Sequence, residues 1–163
     1  MRKTLIVVGF AAAIAGLVYW GAEMVRSAPA TCQVCYRPVH RGQEYTVVLS
    51  DGTKEHTCCP RCGMHFQIRQ GDQVRSARAT DFATGARIDP AQASFVEGSD
   101  LMTCCSTPPI KREEPQKSAE LIWDRCLPSL VAFKTRAEAL QFWRQHGGRI
   151  RTYAEALDSV KLN

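Results

Sequence analysis

The 163-residue chain has no Gly-x-Ser-x-Gly elbow, no phosphate-cradling glycine loop and no His-Glu-x-x-His pair. Those absences remove the common signatures of serine hydrolases, nucleotide-binding enzymes and metalloproteases. It also has no basic stripe interleaved with aromatics. Its 21 Lys and Arg are mixed along the chain with 16 Asp and Glu, for a formal charge of +5. Such a surface is simply solvated, and nucleic acid is not expected as a partner. No short period recurs, which excludes a solenoid. At 45% hydrophobic and 23% charged, the composition is that of a folded chain.

What the chain has in excess is cysteine, eight in all. Four form two Cys-x-x-Cys pairs, Cys32-Gln-Val-Cys35 and Cys59-Pro-Arg-Cys62, with 23 residues between Cys35 and Cys59. Each pair aims two sulfurs at one point, and the spacing matches a four-thiolate metal site. Thiolates are soft donors that hold zinc tetrahedrally or copper(I) in sites of two to four ligands. A structural zinc knuckle and a set of disulfides are the plainer readings of the same residues. Cys58 is an extra neighbour; in an alternating strand its side chain faces away from that of Cys59, so the two would not serve one site equally. Met64 and His65 follow Cys62 and could add softer or imidazole ligands, although core packing and a surface role are the ordinary uses of these residues. His40, His56 and His146 have weaker claims. Cys104, Cys105 and Cys126 form a second sulfur cluster. It is either a disulfide from Cys126 to one of the adjacent pair or a soft-metal site.

Met1-Arg2-Lys3 is a basic start, and Leu5 to Ala22 then runs 18 residues without a charge, ending near Tyr19 and Trp20. The run is longer than a usual signal core, which favours an uncleaved single-pass anchor over cleavage at Ala28-Pro29-Ala30. Either way residues 1–30 deliver a domain of residues 31–163 to the outer side of the inner membrane. Cys32 lacks the preceding leucine and small residues of a lipid-attachment site.

Along the domain, Glu44 to Leu49 and Lys54 to Thr57 read as a hairpin around Asp51-Gly52, which carries the chain from one knuckle to the other. Pro60 opens a helix through Gln70, stopped at Gly71. Val74 to Phe82 and Arg87-Ile88 form a second hairpin, and Ala93 to Val96 a further strand. Residues 107–117, with three prolines, read as a mobile loop. Leu130 to Phe133 is a strand. Thr135 and Thr152 each head a capping box, with Glu138 and Glu155, and open two helices. The first of these presents Ala139, Leu140, Phe142 and Trp143 to a core and ends at Gly147-Gly148. The pattern predicts an α+β domain.

Asp81-Phe-Ala-Thr-Gly85, Ile88-Asp89 and Ala93-Ser-Phe-Val-Glu-Gly98-Ser99 resemble the central signature of NosL-type proteins, copper-binding accessory proteins of nitrous oxide reductase and their relatives. Ala132-Phe133, Ala137, Ala139, Phe142 and Gly147-Gly148 follow in the same order, so the resemblance runs from about Cys32 to Leu157. It implies a fold of two ββα-like halves. It also implies periplasmic copper(I) binding and delivery to a cuproenzyme as chaperone or assembly factor. The family's Cys-x-x-Cys-Gly-Met falls on Cys32, Cys35, Tyr36 and Arg37, so its methionine is absent here. A second-half family methionine falls at Cys126. A thiol–disulfide oxidoreductase is the enzymatic alternative, because Cys59-Pro-Arg-Cys62 sits where a helix begins, but no thioredoxin-like βαβ unit surrounds it.

Overall fold

The computed structural model describes residues 30–39, 42–101, 110–114, 117–121 and 126–162. The uncharged stretch 5–22 lies outside them, as do His40, Cys104 and Cys105. Among the described residues no helix is long and apolar enough to cross a membrane.

The fold is α+β. Strands β1 (Tyr45–Leu49), β2 (Lys54–Thr57), β3 (Val74–Thr80) and β4 (Arg87–Ile88) form a four-stranded sheet in the order β2-β1-β3-β4. Helix α1 (Pro60–Gln70) leaves β2 and packs on β1. Strand β5 (Ser94–Glu97) is the centre of a second, three-stranded sheet. Its neighbours there are β8 (Leu130–Phe133) and β9 (Arg149–Arg151). Helices α2 (Arg136–His146) and α3 (Tyr153–Lys161) flank this second sheet. Both are opened by the expected capping boxes, with Thr135 and Thr152 accepting from the Glu138 and Glu155 amides.

The first hairpin is antiparallel and in register, with Tyr45 opposite Thr57 and Val48 opposite Lys54. Tyr45, Val47, Phe95, Leu130 and Val160 are buried in one continuous core between the sheets and helices. Each such side chain contributes roughly 1.5–3 kcal/mol by leaving water. Asp81 explains the Asp-Phe-Ala-Thr-Gly turn physically. Its buried carboxylate accepts from the Thr84 amide (3.2 Å) and the Lys134 amide (2.9 Å), tying the β3–β4 turn to the end of β8.

Three expectations are corrected. Within the span 107–117 expected as a loop, the described residues Ile110–Glu114 form a strand, β6, that pairs with β7 (Lys117–Leu121). Pro108, Pro109 and Pro115 lie outside β6 in the sequence, and the register pairs Lys111 with Glu120 and Glu114 with Lys117. Trp143 does not face the core. It is 41% exposed, and its indole N–H donates to the Gly148 carbonyl at 3.1 Å. Leu140 is only half-buried, so α2 presents just Ala139 and Phe142 as a fully buried face.

Gly63 sets how closely α1 approaches β1. A Cβ there would lie 2.1 Å from Tyr45 Cδ1 and 2.4 Å from Cγ. Gly63→Ala gains about 1 kcal/mol of helix propensity but forces a buried ring to move. Overpacking of this kind typically costs about 1–3 kcal/mol, so a net loss of up to about 2 kcal/mol is expected in urea denaturation. An unchanged or raised midpoint would show that the ring yields freely.

Candidate metal centre

The first knuckle is a closed loop. Thr31 bridges Pro38, the Cys32 amide donates to the Arg37 carbonyl (2.9 Å), and the Tyr36 amide donates to the Cys32 carbonyl (3.0 Å). Tyr36 takes a left-handed φ of 59° to complete the turn and is 80% exposed. The Val34 amide points at Cys32 Sγ (3.4 Å), as an amide does toward a thiolate. The Gln33 amide donates to the His56 carbonyl, which fastens the knuckle to β2. Across the hairpin, Cys59 is the N-cap of α1 and Cys62 lies in its first turn. The hairpin therefore brings the two Cys-x-x-Cys pairs to one place.

Six thiols, none of them in a disulfide, meet there. Cys32, Cys35, Cys58 and Cys62 have all their sulfurs within 4.8 Å of one another, and so do Cys58, Cys59, Cys62 and Cys126. Cys35 Sγ is 3.4 Å from Cys58 Sγ, Cys58 Sγ is 3.7 Å from Cys126 Sγ, and Cys62 Sγ is 3.4 Å from Cys126 Sγ. These are contacts between thiols, well beyond a disulfide bond length of about 2 Å. Five of the six are buried, and only Cys35 is partly exposed.

Cys58 was expected to point away from Cys59. Strand β2 ends at Thr57, so alternation stops one residue too early to separate them, and Cys58-Cys59 is a bend that turns both thiols into the cluster. The four sulfurs that include both members of the first knuckle thus hold Cys58 in the place foreseen for Cys59, which groups with Cys126 instead. Cys126 is not in a disulfide. Met64 is fully buried in the apolar core, and His65 is half-buried on α1. Among the described residues no histidine joins either group. His56 meets Glu44 at 2.5 Å, and His146 meets Asp100 at 2.9 Å.

The thiols do not share one acidity. Contacts from the Cys58 and Cys62 thiols hold Cys32 well below the ordinary thiol value of 9.0. Burial pushes Cys35 up to about 12. The contact with Cys126 leads the upward shift of Cys62.

The sign of the pH dependence follows. Above 9.0 the unfolded chain loses the Cys35 and Cys62 protons that the folded chain keeps, so stability falls from there up to about 12. Cys32 acts in the opposite sense, but below 9.0. Urea midpoints of the reduced, metal-free protein are expected to drop across that alkaline window, and to drop less in Cys35→Ser. A flat profile would contradict the assignment.

Two features escaped sequence reasoning. Arg37 Nη1 approaches Cys126 Sγ at 3.9 Å. Arg61, inside the second Cys-x-x-Cys, is fully buried and pairs with Glu97 at 2.6 Å. Its Nε donates to the Pro128 carbonyl at 2.7 Å, while Nη1 has no partner. An arginine between two cysteines reads as surface, and only its distant partners reveal otherwise.

No family model matches the chain. Among curated proteins it is similar to the HTH-type transcriptional repressor CutR of Bacillus subtilis (strain 168), with 21% identity over 129 residues. The match covers 79% of this chain but 57% of the repressor, so the chain spans little more than half of that relative. Among solved structures it is similar to the copper chaperone NosL from Shewanella denitrificans. The TM-score is 0.57 at 15% identity, covering 79% of this chain and 90% of the other. That likeness establishes a shared fold.

Proposed function

We propose that the chain is a divergent NosL-type protein, with two ββα-like halves, that binds copper(I) and passes it to a client metalloenzyme as chaperone or assembly factor. The observation that carries this reading is the convergence of six thiols outside any disulfide in one buried cluster with a single partly exposed member, Cys35. Soft donors without imidazole or carboxylate select copper(I) or zinc. The shared fold with a copper chaperone favours copper. Residues 5–22 would tether the domain by one span to the inner membrane, facing the periplasm. In that oxidising compartment free thiols must be metallated or risk disulfide formation.

Delivery proceeds by ligand exchange. A partner's sulfur attacks at the Cys35 side, Cys35 leaves, and the remaining thiolates are replaced in turn. The thiol oxidoreductase alternative needs an accessible, acidic thiol. Cys59 and Cys62 are 2% and 0% exposed, which argues against it. Nucleic-acid binding is not part of this reading, because the charges are mixed in sign along the chain.

Anaerobic titration of the chain with copper(I) against a competing chelator tests the reading. Tight binding is expected, and its loss when Cys32, Cys35, Cys58 and Cys62 are all changed to Ser. Binding no tighter than in that variant would end the idea. A structural zinc module, the competing proposal, requires one firmly held zinc that copper(I) does not displace.

A further inference from the structure

We propose that the cluster is a dinuclear centre, in which the Cys58 and Cys62 thiolates bridge two soft metal ions. The inference deepens the metal-binding reading above and rests on it. The two four-sulfur groups share Cys58 and Cys62 and nothing else. Cys32 and Cys35 complete one group, Cys59 and Cys126 the other. Two four-coordinate ions would ordinarily need eight sulfurs; six suffice when two sulfurs are common to both. The six thiols thus supply the donor set of two tetrahedra joined along one edge.

Distances agree with that arrangement. A metal–sulfur bond of about 2.3 Å implies a sulfur–sulfur edge of about 3.8 Å in a tetrahedron. Cys35–Cys58 at 3.4 Å falls near this edge in the first group. Cys58–Cys126 at 3.7 Å and Cys62–Cys126 at 3.4 Å do so in the second. A mononuclear site would use one group and leave the other two thiols as bystanders, with no reason for them to converge on the shared pair.

The surrounding charge fits an anionic centre as well. Six thiolates around two monovalent ions carry excess negative charge. Arg37 reaches Cys126, and the buried Arg61 guanidinium interacts electrostatically with both Cys59 and Cys62 while one of its nitrogens is unpartnered. Loading involves no change of oxidation state when the metal is supplied as copper(I). Each protonated thiol that binds releases one proton to solvent, and no bond other than S–H is broken.

The full-length chain, reduced and handled anaerobically, is titrated with copper(I) and, in a parallel arm, with zinc(II). Bound ions are counted by native mass spectrometry, and the loaded protein is examined by X-ray absorption. Two ions per chain and a short metal–metal scattering path are expected in the wild-type protein with copper(I). The same result with zinc alone would keep the bridged centre and overturn copper as its metal. Cys59→Ser/Cys126→Ser is expected to hold one ion, as is Cys32→Ser/Cys35→Ser, both without the metal–metal path. Cys58→Ser/Cys62→Ser is expected to hold neither ion against the chelator. One ion per wild-type chain, or two with no metal–metal path, overturns the bridged centre but leaves mononuclear metal binding standing. No binding at all overturns the underlying metal reading instead. The wild-type measurements decide the matter even where a serine variant fails to fold.

Discussion

Copper(I) loading is expected to raise the melting temperature of the chain by roughly 10–20 °C, and Cys62→Ser is expected to abolish that gain. The reasoning is linkage. The ligands come from separate parts of the chain, at Cys32 to Cys35, Cys58 to Cys62 and Cys126, so the unfolded chain holds no preformed site. Metal free at a thousand times its dissociation constant then stabilises the folded state by about 4 kcal/mol. For a domain of this size, one kcal/mol moves the midpoint by roughly 3–5 °C. Cys62 is the sensitive position because it belongs to both sulfur groups and is fully buried in the first turn of α1. Its serine replacement is a poor soft-metal ligand, and the hydroxyl is buried where the thiol was. Thermal melts of apo and loaded protein, wild type and variant, check this. A gain in the variant as large as in the wild type would mean that the metal is held elsewhere.

Much of the scaffold around that site was legible from local signals. The Asp-Gly turn, Pro60, Gly71 and the two Thr-x-x-Glu boxes are each read within four residues, and each has its expected structure. What local reading missed is non-local. Strand β9 is only Arg149-Ile-Arg151, with no strand signature. It exists because β5 offers a free edge, with Val96 opposite Ile150 and Phe95 opposite Arg151. Cys126 sits 64 residues from Cys62, so no spacing rule links them, yet their sulfurs touch. Cys58 failed for a smaller reason, the end of β2 one residue before it. The site's location between the knuckles was therefore readable, whereas its membership depended on where a strand stops and on what the remote segment before β8 brings back.

Arg61 and Glu97 are the clearest case of a non-local determinant, and Glu97→Ala is expected to destabilise the protein by about 3–5 kcal/mol. Glu97 on β5 receives Arg61 of α1 at 2.6 Å and Arg151 of β9 at 2.9 Å, and the Ser159 hydroxyl of α3 also donates to it. One carboxylate thus joins two strands of the second sheet's neighbourhood to both helices packed on the core. Burial already pushes the Arg61 guanidinium below its usual value, and Glu97 is the main opposing influence. Without Glu97 a fully buried cation loses its carboxylate partner and keeps hydrogen bonds to the Pro128 carbonyl and the Ser159 hydroxyl, with the Cys59 and Cys62 sulfurs nearby. Urea denaturation measures the loss, and a change under about 1 kcal/mol would show that water reaches the site and replaces the carboxylate. Arg61→Met combined with Glu97→Leu separates packing from charge. Two apolar residues of similar volume are expected to recover most of the stability, because a buried ion pair is worth little more than well-packed hydrophobes. Metal affinity should not recover with it, since the positive charge between Cys59 and Cys62 is gone. Restored stability with weakened copper(I) binding assigns Arg61 to the electrostatics of the thiolate cluster; recovery of both assigns it to the fold alone.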